Sequence, residues 1–137
     1  MHEGVIWLDE NRKPSEVLEE ILAYMKACQK EYQECSSAVW KHDRCVQDFL
    51  HEFEFSASKQ ERNKIATRLS RSRKERRRLK DRAQMLENVA KFYGDKSNRQ
   101  FFDRLKNLIN EQKKVEEYLE SERVYKPRGS DSIGHTD

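Results

Sequence analysis

The sequence is poor in the residues that interrupt helices. It has 4 glycines and 2 prolines in 137 residues, and aromatic residues make up 9% of the chain. This scarcity excludes a collagen-like repeat. No segment approaches the run of about 20 apolar residues that a membrane-spanning helix needs. Hydrophobic residues account for 35% and charged residues for 39%, a balance that favours long, exposed helices over a compact, sheet-rich domain.

Cysteine is also scarce, and a signal sequence is lacking. Three cysteines are an odd number and too few for a disulfide scaffold. The first residues, 1–8, carry Glu3 and lack the basic and apolar regions of a secretory signal. We therefore expect a reducing, cytoplasmic location, which is the host cytosol if the chain is phage-encoded. Residues 1–14 are predicted to form a short, irregular N-terminal segment.

The strongest pattern in the sequence begins after Ser15, which is predicted to be the N-cap of a helix. From Leu18 onward, apolar residues recur at alternating steps of three and four, and neither Gly nor Pro interrupts them. Such spacing is typical of a coiled-coil seam. The seam positions are Leu18, Ile21, Met25, Cys28, Tyr32, Cys35, Val39, His42, Val46, Phe49 and Phe53.

A second helix with similar spacing follows a short turn at residues 55–57. Ser58 and Glu61 form a predicted capping box, and Gly94 is expected to end the helix in a left-handed conformation. Because so short a turn joins two helices of nearly equal length, an antiparallel hairpin is predicted. The second seam consists of Ile65, Leu69, Ser72, Arg76, Leu79, Ala83, Leu86, Ala90 and Tyr93.

A shorter third helix is predicted to begin at a second capping box, Ser97 to Gln100, and to end at Pro127. We expect it to cover the open end of the hairpin, including Tyr24 and Met85. The fold class is therefore all-α, with a single domain at 15–128 and a disordered tail at 129–137. Its predicted packing face is Phe101, Leu105, Leu108, Gln112, Val115 and Leu119, widened by Phe102 and Ile109.

The polar seam positions fall in one layer of the predicted hairpin. The antiparallel register places His42 opposite Ser72, close to Arg76. A polar layer of this kind specifies the register of a coiled coil, so we assign these three residues to a polar core layer and not to catalysis.

Positive charge is concentrated in the second helix. Residues 59–82 carry twelve basic and three acidic residues, whereas residues 9–54 carry six basic and eleven acidic ones. Four cations are predicted to point away from the seam, namely Arg71, Lys74, Arg77 and Arg78. Four others flank the seam and are expected to pair with Glu31, Asp43 or Glu52 of the first helix, namely Arg68, Arg73, Lys80 and Arg82. Arg76, at the seam itself, is also expected to pair with Asp43.

Three uses of the outward basic face stay open at this point. The cations can be a solvated surface, can bind nucleic acid by neutralising phosphates, or can bind an acidic protein. An aromatic group at the turn end of the hairpin is either a closed local cluster or an interface for a partner or a homodimer. This group consists of Phe49, Leu50, Phe53 and Phe55.

No pattern of a catalytic or metal site is present. The sequence has no glycine-rich phosphate loop and no nucleophile elbow. His42 and Cys45 could supply two metal ligands, but no second pair matches them. We therefore expect a non-enzymatic protein with no cofactor and no metal.

The start of the basic stretch resembles the basic region of basic-leucine-zipper proteins. The residues that fit that family's pattern are Asn63, Ala66, Thr67, Ser70, Arg71, Arg73 and Lys74. The resemblance implies that a helix places its asparagine and its Ser-Arg pair against bases or phosphates in a major groove. The sequence departs from that family after this point, because only Leu79 and Leu86 are zipper-like before Gly94.

The wider stretch from Lys59 to Arg128 resembles small helical accessory proteins of bacteriophages and prophages. It combines an arginine-rich helix, Lys80-Asp81 and a third helix followed by Val124-Tyr125-Lys126-Pro127-Arg128. This resemblance implies a non-enzymatic, cytosolic protein that is directed at the host or related to DNA. Together with the basic face of the second helix, it predicts a protein that binds nucleic acid or a nucleoprotein. Two alternatives stay open: an anti-defence inhibitor or adaptor that docks on a host protein, and a purely structural coiled-coil assembly protein.

Overall fold

A computed structural model describes residues 8–122 of the chain. Within this range the protein is all-α and consists of α1 (Pro14–Glu54), α2 (Lys59–Gly94) and α3 (Arg99–Glu120). A single 3-10 turn, Lys96–Asn98, separates α2 from α3. The predicted fold class, a long hairpin with a shorter third helix, is confirmed. The predicted tail and the first part of the N-terminal segment lie outside the described residues.

The helices α1 and α2 pair in antiparallel order and in the predicted register. His42 Nδ1 and Ser72 Oγ share a hydrogen bond of 2.7 Å at the middle of the hairpin. Residue numbers rise along α1 as they fall along α2, which defines the antiparallel order. The pairs that meet across the hairpin include Glu31–Arg82, His42–Ser72 and Glu52–Arg68.

The hairpin has a thin core because two helices cover each other on one side only. Cys28 and Cys35 are buried, as predicted for seam residues of α1. Most other seam residues are half-buried, including Val46, Phe49 and Leu69. The buried apolar side chains of the described residues are Cys28, Cys35, Ile65, Ala83, Leu86, Ala90, Phe102 and Ile109.

The turn between α1 and α2 uses a capping arrangement close to the predicted one. Ser58 is the N-cap of α2, and its hydroxyl accepts a hydrogen bond of 3.1 Å from the Glu61 backbone N–H. The Glu61 carboxylate accepts a bond of 2.9 Å from Ala57 N–H, one residue before the partner that a capping box uses. Both contacts satisfy amides that a helix start leaves unpaired, so the chain reverses within four residues.

The start of α1 differs from the prediction. The helix begins at Pro14, with Lys13 as the N-cap residue, and Pro suits this position because it lacks the N–H that would be left unpaired. Ser15 is therefore inside the helix and not its cap. Ser15 is buried, and its hydroxyl and N–H both donate to the Glu116 carboxylate of α3, at 2.5 and 3.0 Å. A side chain from another helix thus adds to the local cap, in which the Glu16 carboxylate accepts from Lys13 N–H at 3.3 Å.

The prediction of a left-handed Gly94 is wrong. Gly94 is the last residue of α2, and its φ lies outside the left-handed region. A Cβ there would overlap the amide nitrogen of the Gln29 side chain, which would then have to move aside. The second capping box is also absent, since Asp95 and not Ser97 supplies the side-chain cap, accepting from Ser97 N–H at 2.9 Å.

The helix α3 packs beside the first turns of α1. The Cα atoms of α3 come within 8 Å of those of α1 but not of those of α2. Numbers rise along α3 as they fall along α1, so the two are antiparallel where they touch. The polar pairs that join them are Glu19–Lys113, Ser15–Glu116 and Lys13–Glu120. The expected cover over Tyr24 and Met85 is wrong, because both side chains are exposed.

The packing face of α3 is rotated from the predicted one. Phe102 and Ile109 are buried, whereas Leu108 and Val115 of the predicted face are about half exposed. Phe102 also packs edge-to-face on Tyr93 at the end of α2, with ring centroids 5.0 Å apart. The helix ends at Glu120 and not near Pro127, because Ser121 turns to an extended conformation there.

Candidate nucleic-acid interface

The cations of α2 fall into two groups according to their partners. One group is held by carboxylates of α1, as predicted for the residues that flank the seam. Arg68 donates to Glu52 at 2.6 Å and Arg82 donates to Glu31 at 2.5 Å. Lys80 differs from the prediction, because it has no ion-pair partner among residues 8–122.

Asp43 binds two arginines of α2 at once. Its Oδ1 accepts from Arg76 Nε at 2.5 Å and from Arg73 at 3.3 Å. These bonds, that from Arg76 above all, lower the pKa of Asp43. Arg76 is 23% exposed and lies at the seam as predicted, beside the His42–Ser72 layer. Arg73, which the sequence also placed among the nucleic-acid contacts, is thus engaged with α1.

The second group of cations points away from α1. Arg71, Lys74 and Arg77 are exposed and have no ion-pair partner within the described part of the chain. Arg78 is exposed as predicted, but its guanidinium binds Glu75 of the same helix through two bonds of 2.9 and 2.6 Å. This bond lowers the pKa of Glu75 and raises that of Arg78, so the charge of Arg78 is partly neutralised.

A shallow groove runs along the outward face of α2, with a volume of about 520 Å³. Its floor consists of small side chains, and longer polar or cationic side chains stand around them. Because the floor residues are short, another molecule can approach the helix backbone closely while the cations reach its surface. The lining residues are Asn63, Ala66, Thr67, Ser70, Arg71 and Lys74.

The same residues, apart from Arg73, carry the resemblance to basic-leucine-zipper regions. Their spacing places them on the side of α2 opposite the seam, and the structure brings them together in one groove. Thr67 binds locally, since its hydroxyl donates to the Asn63 carbonyl oxygen at 2.9 Å. The Asn63 side-chain amide makes no hydrogen bond among the residues described.

One cation of this surface was missed by the sequence analysis. Lys64 is exposed and lines a second shallow groove with Asn63, Thr67 and Arg68. Lys64 lies seven residues before Arg71, so the two share one side of the helix. This seven-residue spacing from Arg71 is the signal in the sequence that could have identified Lys64 as part of the same surface. We call Asn63, Lys64, Arg71, Lys74 and Arg77 the outer basic face.

The aromatic group at the turn is only partly closed. Phe49 is half-buried, and the Arg68 guanidinium lies 5.5 Å from its ring centroid. Phe55 packs edge-to-face on His51 at 4.8 Å and stays exposed, as do Leu50 and Phe53. The turn end therefore presents apolar surface at three of the four predicted positions.

The part of the chain that the structure describes contains neither a metal-binding cluster nor a membrane-spanning helix. No group of three or more His, Cys, Asp or Glu side chains within residues 8–122 is arranged to hold a metal ion. None of the described helices combines the length and apolarity needed to cross a bilayer. Cys45 is exposed and unpaired, and the two seam cysteines are buried and unpaired.

Comparison with known proteins gives no relative from which a function could be transferred. No family model, no curated protein and no solved structure matches the chain. The geometry and charge of the outer basic face are therefore the main guide to function.

Proposed function

We propose that this protein is a non-enzymatic accessory protein that binds nucleic acid, alone or in a nucleoprotein, through the outer basic face of α2. The observation that supports this proposal is the division of the α2 cations. The carboxylates of α1 bind the seam-side arginines and leave Arg71, Lys74 and Arg77 unpaired at the surface. Each unpaired cation can neutralise one phosphate and release its condensed counterions.

The hairpin supports this function because it makes the cations part of a rigid rod. The bonds from α1 to Arg68, Arg76 and Arg82 hold the central part of α2. Lys74 and Arg77 are three residues apart and so lie about one turn apart on the outer surface, a spacing that suits successive phosphates. The small floor of Ala66 and Ser70 leaves space for a nucleic-acid backbone or groove edge.

A bacteriophage or prophage context is part of the same proposal. It has its basis in the sequence resemblance of the stretch 59–128, and it fits a small cytoplasmic protein that acts on nucleic acid or nucleoprotein. Gene neighbours involved in replication, packaging or anti-defence would support this context.

The proposal is tested by charge reversal on the outer basic face. We expect the full chain to bind a fluorescent duplex DNA of about 30 base pairs, and to lose most of its affinity between 50 and 200 mM salt, as expected when phosphate contacts dominate. The double variant Lys74→Glu/Arg77→Glu should bind much more weakly than the wild type, and the salt slope of its remaining binding should be shallower by about two. Fluorescence anisotropy measures both quantities, with single-stranded RNA as the second probe.

A matched control distinguishes the effect of this face on binding from the effect of net charge. Lys26→Glu/Lys30→Glu changes the net charge by the same amount on exposed positions of α1. At each salt concentration, the affinity of the control for the duplex DNA should be within a few-fold of that of the wild type. Equal losses in both double variants, or no salt-dependent binding at all, would contradict the proposal.

A second candidate function is an adaptor that docks on a host protein through the turn end. The observation in its favour is the exposure of Leu50, Phe53 and Phe55. Stoichiometric capture of one host protein by the wild type and by Lys74→Glu/Arg77→Glu, but not by Phe53→Glu, would favour this candidate over nucleic-acid binding.

A further inference from the structure

The apolar face of α3 is wider than the surface that α1 covers. Phe102 and Ile109 face α1 and are buried, but a neighbouring stripe is not. The exposed fractions in this stripe are 52% for Phe101, 48% for Leu108, 51% for Val115 and 56% for Leu119. We call these four residues the α3 stripe. Phe101, at the start of the stripe, packs edge-to-face on Phe92 at the end of α2, with ring centroids 5.9 Å apart. Beyond this contact α2 does not approach α3, so the rest of the stripe is left uncovered by the hairpin.

The spacing of the α3 stripe is that of a helix–helix seam. Phe101, Leu108 and Val115 are seven residues apart, and Leu119 follows four residues later. Apolar residues at this spacing form one row along a helix and bind a second helix by knobs-into-holes packing. A contiguous exposed row of this kind is typical of a protein-interaction surface, unlike single scattered apolar residues.

Two charges beside the stripe indicate which helix binds there. Arg104 and Glu111 lie on its solvent side, seven residues apart, and neither has an ion-pair partner within residues 8–122. By contrast, Lys113 and Glu120, on the rest of the helix, bind Glu19 and Lys13 of α1. The stripe is thus flanked by one cation and one anion that the chain itself leaves unpaired.

We infer that the α3 stripe is the interface of a homodimer in which two copies of α3 pack antiparallel. A two-fold axis through Leu108 brings Phe101 against the partner's Val115 and Leu108 against the partner's Leu108. The same axis places Arg104 opposite the partner's Glu111, and the symmetry repeats this pair. A parallel arrangement sets Arg104 beside the partner's Arg104, so charge complementarity selects the antiparallel dimer.

The experiment measures the mass of the full chain by analytical ultracentrifugation over a dilution series. We expect a dimer whose dissociation constant rises about hundredfold or more in Leu108→Lys, because a charge is then buried without a partner. Arg104→Glu and Glu111→Arg should each weaken the dimer about tenfold through like-charge pairs. The double variant Arg104→Glu/Glu111→Arg should restore it, since the pairs are then reversed.

Lys106→Glu is the matched control, since it reverses a charge on the exposed side of the same helix that lies opposite the stripe, and it should leave the dimer unchanged. Far-UV circular dichroism checks that each variant keeps its helix content, and the charge-swap rescue decides the question if Leu108→Lys does not fold. A monomer at all concentrations overturns the inference. A dimer that survives Leu108→Lys but not Phe53→Lys also overturns it, because its interface is then the turn end.

Discussion

At the scale of single residues, the contact between Ser15 and Glu116 shows how the third helix is attached. Burial of the Glu116 carboxylate disfavours its charged form, but hydrogen bonds from Ser15, with help from Gln112 and Lys13, outweigh this effect and lower the pKa of Glu116. The carboxylate also lies at the N-terminus of α1, where the helix dipole favours negative charge. One side chain therefore both caps α1 and fixes α3 beside it.

Acid should loosen this attachment. A carboxylate whose pKa is lowered by folding stabilises the protein above its ordinary pKa, here 4.5, and this stabilisation is lost as the pH falls through the lowered value. We expect Glu116→Gln to have a lower melting temperature than the wild type at pH 7. Between pH 5 and pH 3, the melting temperature of the variant should fall by less than that of the wild type. Thermal denaturation followed by circular dichroism at each pH measures the difference.

Glu117→Gln is the control for this prediction. Glu117 is exposed on the same turn, and its carboxylate makes no hydrogen bond or ion pair among residues 8–122. Its substitution should leave the pH dependence of the melting temperature as in the wild type. Parallel pH profiles for the wild type and Glu116→Gln would show that the Ser15 contact does not stabilise the protein.

At the scale of elements, the polar layer of the hairpin was predictable, whereas the face of α3 was not. The 3/4 spacing of two long seams and a short turn defines the register, and this register predicts that His42 lies opposite Ser72. In α3, apolar residues cover an arc wide enough for two neighbours. Periodicity along one helix does not say which part of that arc α1 occupies, so Phe102 and Ile109 had to be identified from the structure.

Removing only one partner of the polar layer should destabilise the protein. Ser72→Ala removes the partner of a half-buried imidazole, and we expect a loss of about 1 kcal/mol in the free energy of unfolding. The double variant His42→Leu/Ser72→Ala should recover this loss, because no polar group then lacks a partner. Urea denaturation measures both. A double variant less stable than Ser72→Ala would contradict this account of the layer.

At the scale of the whole molecule, the protein is an elongated hairpin that buries few side chains completely. Eight apolar residues within the described range are buried, whereas 14 large hydrophobic residues in that range are exposed. Most of its stability must then come from many half-buried seam contacts and from ion pairs between helices. Such a surface is available for partners along nearly its whole length, which suits a protein that acts by binding.

This shape predicts a low sensitivity to denaturant. The urea m-value scales with the surface that unfolding exposes, and the hairpin has less surface to expose than a compact domain of equal length. We expect the m-value of the monomeric variant Leu108→Lys to lie clearly below that of such a domain. Denaturation followed at 222 nm measures it. A value typical of a compact domain of this length would show that the chain buries more surface than residues 8–122 account for.

The sequence by itself determined the all-α class, the hairpin, its register and the outward direction of Arg71, Lys74 and Arg77. These properties follow from the spacing along each helix and from the length of one turn, both of which are local. Only the tertiary structure decided that Glu116 of α3 caps α1, and which side of α3 stays uncovered. These outcomes depend on how one helix approaches another, and such distances are not encoded in the period of either helix.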